Sequence, residues 1–288
     1  MKYIVTFLLA ALSLNAVGQT NPNYNPDYDA NGVIGVDDLL GILSTFGDTW
    51  DSGDVIVGCT YPAAVEYNSS ANVDDGSCTF LPDSDCGIPV PHEGYYYSTV
   101  LIGDQCWFSE NCRYLPEVSD PSIDSTTEPH YSVYGYTGTD VTAAQATANY
   151  ATYGVLYNWP AVMTEGICPS GWHIPSDGEW QTMEVSLGMS EAEAASEEWR
   201  GSPVGDYLKS TSGWDSGGHG SNSSGFTGLP GGFRYSGGFI NIGSFGYWWS
   251  ASESGSYSWL RELNYYYGDV YRNYYYRGIG FSARCVRD

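Results

Sequence analysis

The chain has 288 residues, which is enough for one domain of ordinary size and small accessory segments. It carries 34 acidic and 10 basic residues, and the resulting net charge of -24 argues against a nucleic acid as partner of the whole molecule. The charge is uneven, because the last 89 residues hold eight of the basic residues and six of the acidic ones.

The N-terminus has the pattern of a secretory signal peptide, which we assign to residues 1–18. Lys2 supplies the positive charge, Ile4–Leu14 the apolar segment, and Ala16–Gly18 the small-residue cleavage site. The apolar segment is too short to cross a bilayer and no later apolar run is long enough, so no transmembrane segment is predicted. A retained membrane anchor is disfavoured because no stop-transfer pattern follows. We expect a secreted or extracellular protein, either free or displayed at the cell surface.

Residues 19–50 contain a segment with the spacing of a calcium-binding loop. Oxygen donors stand at the positions that such loops use, and Gly32 stands at the sixth position, where the chain turns sharply. The predicted Ca²⁺ ligands are Asp27, Asp29, Asn31, the backbone carbonyl of Val33, and Asp38. A short amphipathic helix is predicted over 37–46. Loop and helix together resemble half of a dockerin. Since dockerins carry two such loops, a calcium-stiffened spacer is preferred here over docking to a partner.

Residues 51–82 form a turn-rich segment that Cys59 and Cys78 bracket. A disulfide between them would close a loop that has too little apolar area to fold by itself. Asp74 and Asp75 in this segment are candidate calcium ligands, and a solvated turn is an alternative of at least equal weight. The chain has seven cysteines, and in an exported protein these predict disulfides with one thiol left over. The sequence contains no CxxC motif, which excludes zinc ribbons and thioredoxin-like redox sites.

Residues 83–288 form the main domain, which is predicted to be α+β. The predicted strands are Tyr95–Ile102, Gln105–Phe108, Gly225–Phe233, Tyr247–Ser252, Trp259–Tyr265 and Ile279–Val286. Two helix starts carry a capping box, Ser176 with Glu179 and Ser190 with Glu193. The predicted helices are Asp177–Leu187 and Glu191–Trp199.

Seven strings of this domain occur together, and in this order, in one known family. They are IGDQCWF at 102–108, GVLYNW at 154–159, CPSGWHIP at 168–175, LKSTSGW at 208–214, GLPGG at 228–232, WWSAS at 248–252 and GFSARCV at 280–286. The domain resembles the Fibrobacter succinogenes major paralogous domain. The resemblance implies a C-type-lectin-like fold with two short helices and twisted antiparallel strands. It also implies an association with secreted and surface proteins, and the family has no assigned reaction.

The resemblance also implies how the cysteines pair. It places Cys168 with Cys285 and Cys86 with Cys106. With Cys59 joined to Cys78, the remaining thiol is Cys112, which we interpret as a buried apolar residue and not a reactive one.

Catalytic motifs are missing from the sequence. It contains no GxSxG elbow, no HExxH motif and no phosphate-binding loop. The sugar-binding strings of calcium-dependent lectins are missing as well. We therefore predict that the chain is not an enzyme. A degradative enzyme is the third alternative, which a titratable pocket would favour.

The last 42 residues hold the densest group of aromatic side chains. Nine of the 26 tyrosines lie within 247–287, interleaved with arginines, and Tyr and Arg are enriched in binding surfaces. The predicted ligand contacts are Tyr257, Trp259, Arg261, Tyr265, Tyr266, Tyr267, Tyr271, Tyr274, Tyr275 and Tyr276. The seven tyrosines from Tyr265 onward are predicted to line one exposed face. The expected partner is an extracellular protein or polysaccharide. The alternative is a structural or docking component of an extracellular matrix or polysaccharide-degrading assembly.

Residues 235–276 also have an unusual amino-acid composition. Their dominant residue types are all reachable from asparagine codons by changing adenines, and Arg261, Leu263, Val270, Arg272 and Arg277 interrupt them. This pattern is similar to that of the variable proteins of diversity-generating retroelements, in which a C-type-lectin-like domain displays a rewritten C-terminal segment. The alternative is a tyrosine-rich structural surface in an ordinary paralogue.

Overall fold

The computed structural model describes residues 56–60, 66–73, 75, 77–78 and 86–288. The chain divides into two compact units, Met1–Val57 and Gly58–Asp288, and the described residues fall almost entirely in the second. The signal peptide and the calcium loop predicted from the sequence lie outside the described residues. Within the described ranges, no helix is both long enough and apolar enough to span a membrane.

Residues 86–288 form an α+β domain, as predicted. Its strands are β1 (Val90–His92), β2 (Tyr95–Tyr97), β3 (Thr99–Ile102), β4 (Gln105–Phe108), β5 (Tyr131–Ser132), β6 (Leu156–Tyr157), β7 (Trp172–His173), β8 (Glu198–Arg200), β9 (Gly231–Tyr235), β10 (Gly238–Ile242), β11 (Phe245–Ser254), β12 (Tyr257–Asn264), β13 (Val270–Tyr276) and β14 (Val286–Arg287). Its α-helices are α1 (Val141–Gln145), α2 (Ala148–Tyr153), α3 (Trp159–Val162), α4 (Asp177–Ser186), α5 (Glu191–Ala195) and α6 (Val204–Leu208), and a 3₁₀ turn spans Asp215–Gly217.

Two four-stranded antiparallel sheets organise this domain. The C-terminal sheet has the strand order β11-β12-β13-β8, and the closing sheet has the order β3-β4-β14-β7. In the closing sheet, the last strand of the chain lies between β4 and β7, so the end of the chain is hydrogen-bonded to the start of the domain. Three two-stranded pairs, β1-β2, β5-β6 and β9-β10, complete the strands.

The C-terminal sheet is buried on both faces over its middle. Trp248 and Trp249 are neighbours on β11, and neighbouring side chains of a strand point to opposite faces. Trp248 packs with Trp180 and Leu263 in one hydrophobic cluster, whereas Trp249 packs with Leu260 in the other. The tryptophans of the recurring sequence strings are therefore mostly core residues, as their position in those strings indicates.

Helix α4 begins where the sequence predicts. The side chain of Ser176 accepts a hydrogen bond from the Glu179 amide, and the Glu179 carboxylate accepts one from the Ser176 amide. The predicted helix over Glu191–Trp199 is wrong at its C-terminal end, because α5 ends at Ala195. The next residues form β8, which pairs with β13 and buries Arg200. Backbone pairing along the sheet edge replaces the last helical turn.

The strand predictions differ from the structure in three places. The predicted strand Tyr95–Ile102 is divided at Ser98 into β2 and β3, and Gly225–Phe233 is extended only from Gly231 onward. The predicted strand Ile279–Val286 makes isolated bridges before β14 begins at its last residue. β13 was not predicted, because its tyrosine triplet lacks the alternation of apolar and polar residues that marks a half-buried strand.

All three predicted disulfides are present: Cys59–Cys78, Cys86–Cys106 and Cys168–Cys285. Cys112 is the free cysteine and is fully buried. Its Sγ lies 3.5 Å from Sγ of Cys285. Burial raises the pKa of the Cys112 thiol to about 12, so the thiolate needed for disulfide exchange is scarce at neutral pH. The prediction that Cys112 is the remaining thiol and is buried is confirmed.

Candidate functional site

One row of side chains crosses the C-terminal sheet. Tyr247 on β11 is paired with Glu262 on β12, Glu262 with Tyr271 on β13, and Tyr271 with Trp199 on β8. Directly opposed residues of neighbouring strands have Cβ atoms about 5 Å apart on the same face of the sheet. The row therefore places one carboxyl group between two tyrosines, with a tryptophan beside them.

This row lies in a cavity of about 470 Å³ that we call the tyrosine cleft. It is lined by Trp199, Tyr247, Glu262, Tyr267, Tyr271 and Tyr275, with Phe233, Phe245 and Phe281 extending the aromatic wall and Glu198, Asn241 and Asn264 the polar remainder. The rings contact one another: Trp199 lies 5.0 Å from Tyr267 and 4.9 Å from Tyr271, measured between ring centroids. The size is within the range of small-molecule sites.

Glu262 is the half-buried acid of the tyrosine cleft. Desolvation raises the pKa of its carboxyl to about 8. Within the described part of the chain, that carboxyl has no hydrogen-bond or ion-pair partner, and no Lys, Arg or His lines the cleft. Glu198 is the second acidic residue of the lining and is exposed. The cleft is thus aromatic and acidic, and it lacks an internal positive charge.

The tyrosine hydroxyls around Glu262 stay protonated. Burial, followed by the charge of Glu262, raises the pKa of Tyr247. Burial also raises the pKa of Tyr271, with further contributions from Glu198 and Glu262. The side-chain amide of Asn273 donates to the Tyr271 hydroxyl at 2.8 Å, which fixes the orientation of that ring. The cleft therefore offers neutral hydroxyl groups to a ligand.

We expect the unfolding free energy to fall as the pH rises through the titration of Glu262. The folded protein holds this proton up to about pH 8, whereas an unfolded glutamate loses it near its ordinary pKa of 4.5. The stability from this proton is complete below 4.5 and is lost between 4.5 and 8. Each pKa unit corresponds to about 1.4 kcal/mol. Since water entering the cleft screens the carboxyl, we expect Glu262→Gln to avoid a loss of roughly 2 kcal/mol between pH 5 and pH 9.

Urea denaturation at several pH values measures this difference. The matched control is Glu253→Gln, which removes the same charge from an exposed position of β11, outside the cleft lining. The control should follow the wild-type pH dependence. Parallel curves for Glu262→Gln and the wild type would show that Glu262 is ionised in the folded protein.

A buried lysine holds the loop between β12 and β13 through hydrogen bonds to its backbone. Lys209 is buried, and its Nζ donates to the backbone carbonyls of Asn264 at 3.2 Å and Tyr267 at 2.8 Å. Tyr265 is partly buried against the hydrophobic cluster that contains Trp248, whereas Tyr266 is 75% exposed. Lys209 therefore fixes the segment that delivers Tyr267 to the cleft.

The predicted tyrosines do not line one face, and this expectation is corrected. Tyr257, Trp259, Tyr274 and Tyr276 form a second surface, the outer aromatic patch, on the opposite face of the C-terminal sheet. Its rings are also in contact, with Tyr274 at 5.4 Å from Trp259 and 5.7 Å from Tyr257. The period of two along a strand separates Tyr275, which faces the cleft, from Tyr274 and Tyr276. All three are exposed because the ends of β12 and β13 extend beyond the core.

Arg261 is also corrected, because it lies beneath the surface and not on it. Its side chain is 1% exposed. Its Nε donates to Glu184 at 2.5 Å and its Nη1 to Asp177 at 2.8 Å. Arg272 binds the same Asp177 at 2.7 Å, and Arg200 binds Glu184 at 2.6 Å. We call these five residues the buried ion cluster; they join helix α4 to strands β8, β12 and β13 and are unavailable to a ligand.

Nine of the twelve lining residues of the tyrosine cleft were not predicted as site residues, among them Glu262, Trp199 and Tyr247. Glu262 is one of six acids in the last 89 residues, and its alternation with Arg261 was the available signal. Trp199 was the last residue of a predicted helix, and Tyr247 was the first residue of a predicted strand. Their grouping depends on the pairing of β8 with β13, which no local pattern predicts.

The predicted calcium ligands Asp27, Asp29, Asn31, Val33 and Asp38 lie outside the described residues. Among the residues that the structure does describe, no group of three or more His, Cys, Asp and Glu side chains is arranged to hold a metal ion.

Comparison with known proteins gives one match. Residues 100–287 match the family model described as the Fibrobacter succinogenes major domain. Searches of curated proteins and of solved structures found no match. The matched range includes both sheets, the buried ion cluster and the whole tyrosine cleft.

Proposed function

We propose, from the premise that this chain belongs to the Fibrobacter succinogenes major domain family, that it is a secreted or surface-displayed ligand-binding protein. The tyrosine cleft is its binding site. The ligand is carried by an extracellular protein or a polysaccharide.

The observation that carries the proposal is the concentration of aromatic and polar groups in one cavity. Tyr267, Tyr271 and Tyr275 present ring faces and hydroxyls together, and tyrosine gives large contact area at low entropic cost. Lys209 and the buried ion cluster hold the strands and the loop that carry these rings. A binding site built on fixed elements loses little freedom when it takes a ligand.

Tyr275→Ala is expected to weaken ligand binding about tenfold or more, since truncating a central aromatic contact costs upwards of 1.4 kcal/mol. Tyr276→Ala is the matched control: it is the next residue of β13, is similarly exposed (44% against 47%), and faces the outer aromatic patch. Arrays of glycans and extracellular proteins identify a ligand for the wild type, and titration of both variants then gives the ratio of affinities.

The two variants separate the two surfaces. Loss of binding in Tyr276→Ala with normal binding in Tyr275→Ala would move the site to the outer aromatic patch. Unchanged binding in both would reject the proposal that the tyrosine-rich strands form the site.

The fold is proposed to be C-type-lectin-like. The α+β architecture, the two capped helices before the C-terminal sheet, and the pairing of β14 with β4 support this. An experimental structure compared with a C-type lectin domain tests it.

Diversification of residues 235–276 by a retroelement is proposed as the origin of the tyrosines. Burial supports it: the interrupting residues Arg261, Leu263, Val270 and Arg272 are buried, whereas the tyrosines between them reach the surface. Deep sequencing of the 3′ end of the gene in a population grown from one cell is the test. Changes confined to adenines would support diversification, and an invariant segment would exclude it.

The N-terminal loop is proposed to bind structural Ca²⁺ through Asp27, Asp29, Asn31, Val33 and Asp38, as its spacing indicates. Calcium titration of the full chain and of Asp27→Ala tests this. Loss of partner binding in Asp27→Ala would favour the alternative function, docking within an extracellular matrix or a polysaccharide-degrading assembly.

Binding is proposed over catalysis, but Glu262 favours an enzyme as the second candidate. A buried carboxyl with a raised pKa is suited to general acid catalysis. Catalysis needs a second positioned group, and among the described residues nothing is hydrogen-bonded to Glu262. Hydrolysis of a glycoside or ester panel by the wild type, lost in Glu262→Gln, would establish the enzyme.

A further inference from the structure

We propose that the tyrosine cleft binds the ammonium group of an organic cation, with Glu262 as its counter-ion and the neighbouring rings as its cage. This inference rests on the proposed function of the cleft as a binding site and names the chemistry of the ligand.

The geometry of the row supports a cation above Glu262. Tyr247 and Tyr271 flank the carboxyl in the same row, and Trp199 lies next to Tyr271. The rings of Tyr271 and Trp199, with centroids 4.9 Å apart, line the cleft on one side of the carboxyl, whereas the ring of Tyr247 is stacked on Phe245 and Phe281 and presents its hydroxyl. A cation within about 6 Å of an aromatic centroid is attracted by the electron-rich face of the ring. Carboxylate and rings therefore act on the same position.

The charges of the surrounding protein leave this position without a positive group. The three nearest arginines in sequence, Arg200, Arg261 and Arg272, are each next to a residue of the row, yet strand alternation turns them to the opposite face. Their guanidinium groups are bound to Asp177 and Glu184. No lining residue of the cleft is Lys, Arg or His, so in this described part of the chain a ligand is the available source of positive charge.

An anionic ligand is disfavoured at the same place. It would meet Glu262 and Glu198 with no cation to offset their charges. A neutral ligand without hydrogen-bonding groups would cover the half-buried Glu262 carboxyl without giving it a partner. An ammonium group avoids the charge repulsion and gives the Glu262 carboxylate a partner.

Proton release accompanies binding in this arrangement. The groups that face Glu262 are the hydroxyls of Tyr247, Tyr271 and Tyr275 and the carboxyl of Glu198. A cation favours the ionised carboxylate, so the affinity rises with pH until Glu262 is ionised in the free protein, at about pH 8. Choline is the suitable probe because its charge does not change with pH.

The experiment compares cations with neutral molecules of the same shape. Binding of choline and of 3,3-dimethylbutan-1-ol, and of n-butylammonium and of butan-1-ol, is titrated by NMR against the full chain at pH 6, 7 and 9. We expect each cation to bind at least about tenfold more tightly than its neutral counterpart, and choline to bind more tightly at pH 9 than at pH 6. Glu262→Gln should abolish the preference, and Glu253→Gln should retain it. Nα-acetyl-lysine methylamide and its trimethylated form then distinguish a protein side chain from a free amine.

Equal affinity for cation and neutral molecule, an unchanged preference in Glu262→Gln, or no binding of any cation would overturn the inference. The proposed function has a separate readout. If the probes fail while an array ligand binds and is lost in Tyr275→Ala, the cleft is a binding site of another specificity. If array ligands bind equally to wild type and Tyr275→Ala, the proposed function fails as well.

Discussion

Replacing Glu184 by alanine is expected to lower the free energy of unfolding by about 3–5 kcal/mol. Glu184 is completely buried, and its two oxygens accept from Arg261 and Arg200. Without it, Asp177 is the carboxylate left for Arg261 and Arg272, and Arg200 loses its ion-pair partner inside the protein. An unpaired buried charge is among the most destabilising changes that a single substitution makes.

Urea denaturation with the disulfides intact measures this loss. Glu197→Ala is the matched control, because Glu197 is exposed just before β8 and its loss should change the stability by less than about 0.5 kcal/mol. Glu184→Gln keeps the shape and removes the charge, and we expect an intermediate loss. A loss below about 1 kcal/mol in Glu184→Ala would show that water or a rearranged Asp177 replaces the missing carboxylate.

Removing the Cys168–Cys285 disulfide is expected to cost about 5 kcal/mol. The two cysteines are 117 residues apart, and in the chain-entropy model the stabilisation grows with the length of the closed loop. Cys86 and Cys106 are 20 residues apart, which corresponds to about 3 kcal/mol. The double variant Cys168→Ala/Cys285→Ala should therefore be the less stable of the two alanine pairs.

The double variants are needed because of Cys112. In Cys168→Ala alone, the freed thiol of Cys285 would stand beside Cys112, whose sulfur already lies 3.5 Å away. Oxidation by dissolved oxygen would then join the two in a non-native disulfide. Midpoints of urea denaturation for the two double variants give the comparison. A larger loss on removing Cys86–Cys106 would contradict the loop-length account and assign the stabilisation to local packing.

Sequence patterns predicted the parts of this fold that depend on neighbouring residues. The start of α4 follows from Ser176 and Glu179, three positions apart. The family resemblance supplied two of the three cysteine pairs. The predicted strand Trp259–Tyr265 corresponds to β12, whereas the tyrosine-rich strand β13 was not predicted.

The parts that were missed depend on distant partners. From the sequence, Arg261 is expected at the surface, because its partners Asp177 and Glu184 lie 84 and 77 residues earlier in the chain. Glu262 is an ordinary charged residue in the sequence. Its raised pKa arises from desolvation among the rings that neighbouring strands and loops place around it. The division of the tyrosines between two faces requires the register of β12 and β13.

The alternation within three strands has a consequence for protein engineering. Arg200, Arg261 and Arg272 fasten the strands to α4, and each is the immediate neighbour of a residue of the opposite surface: Trp199, Glu262 and Tyr271. Substitutions at the second set leave the fastening residues untouched. Under the proposed function, a library at these three positions would vary the tyrosine cleft while keeping the ion pairs that join the strands to α4.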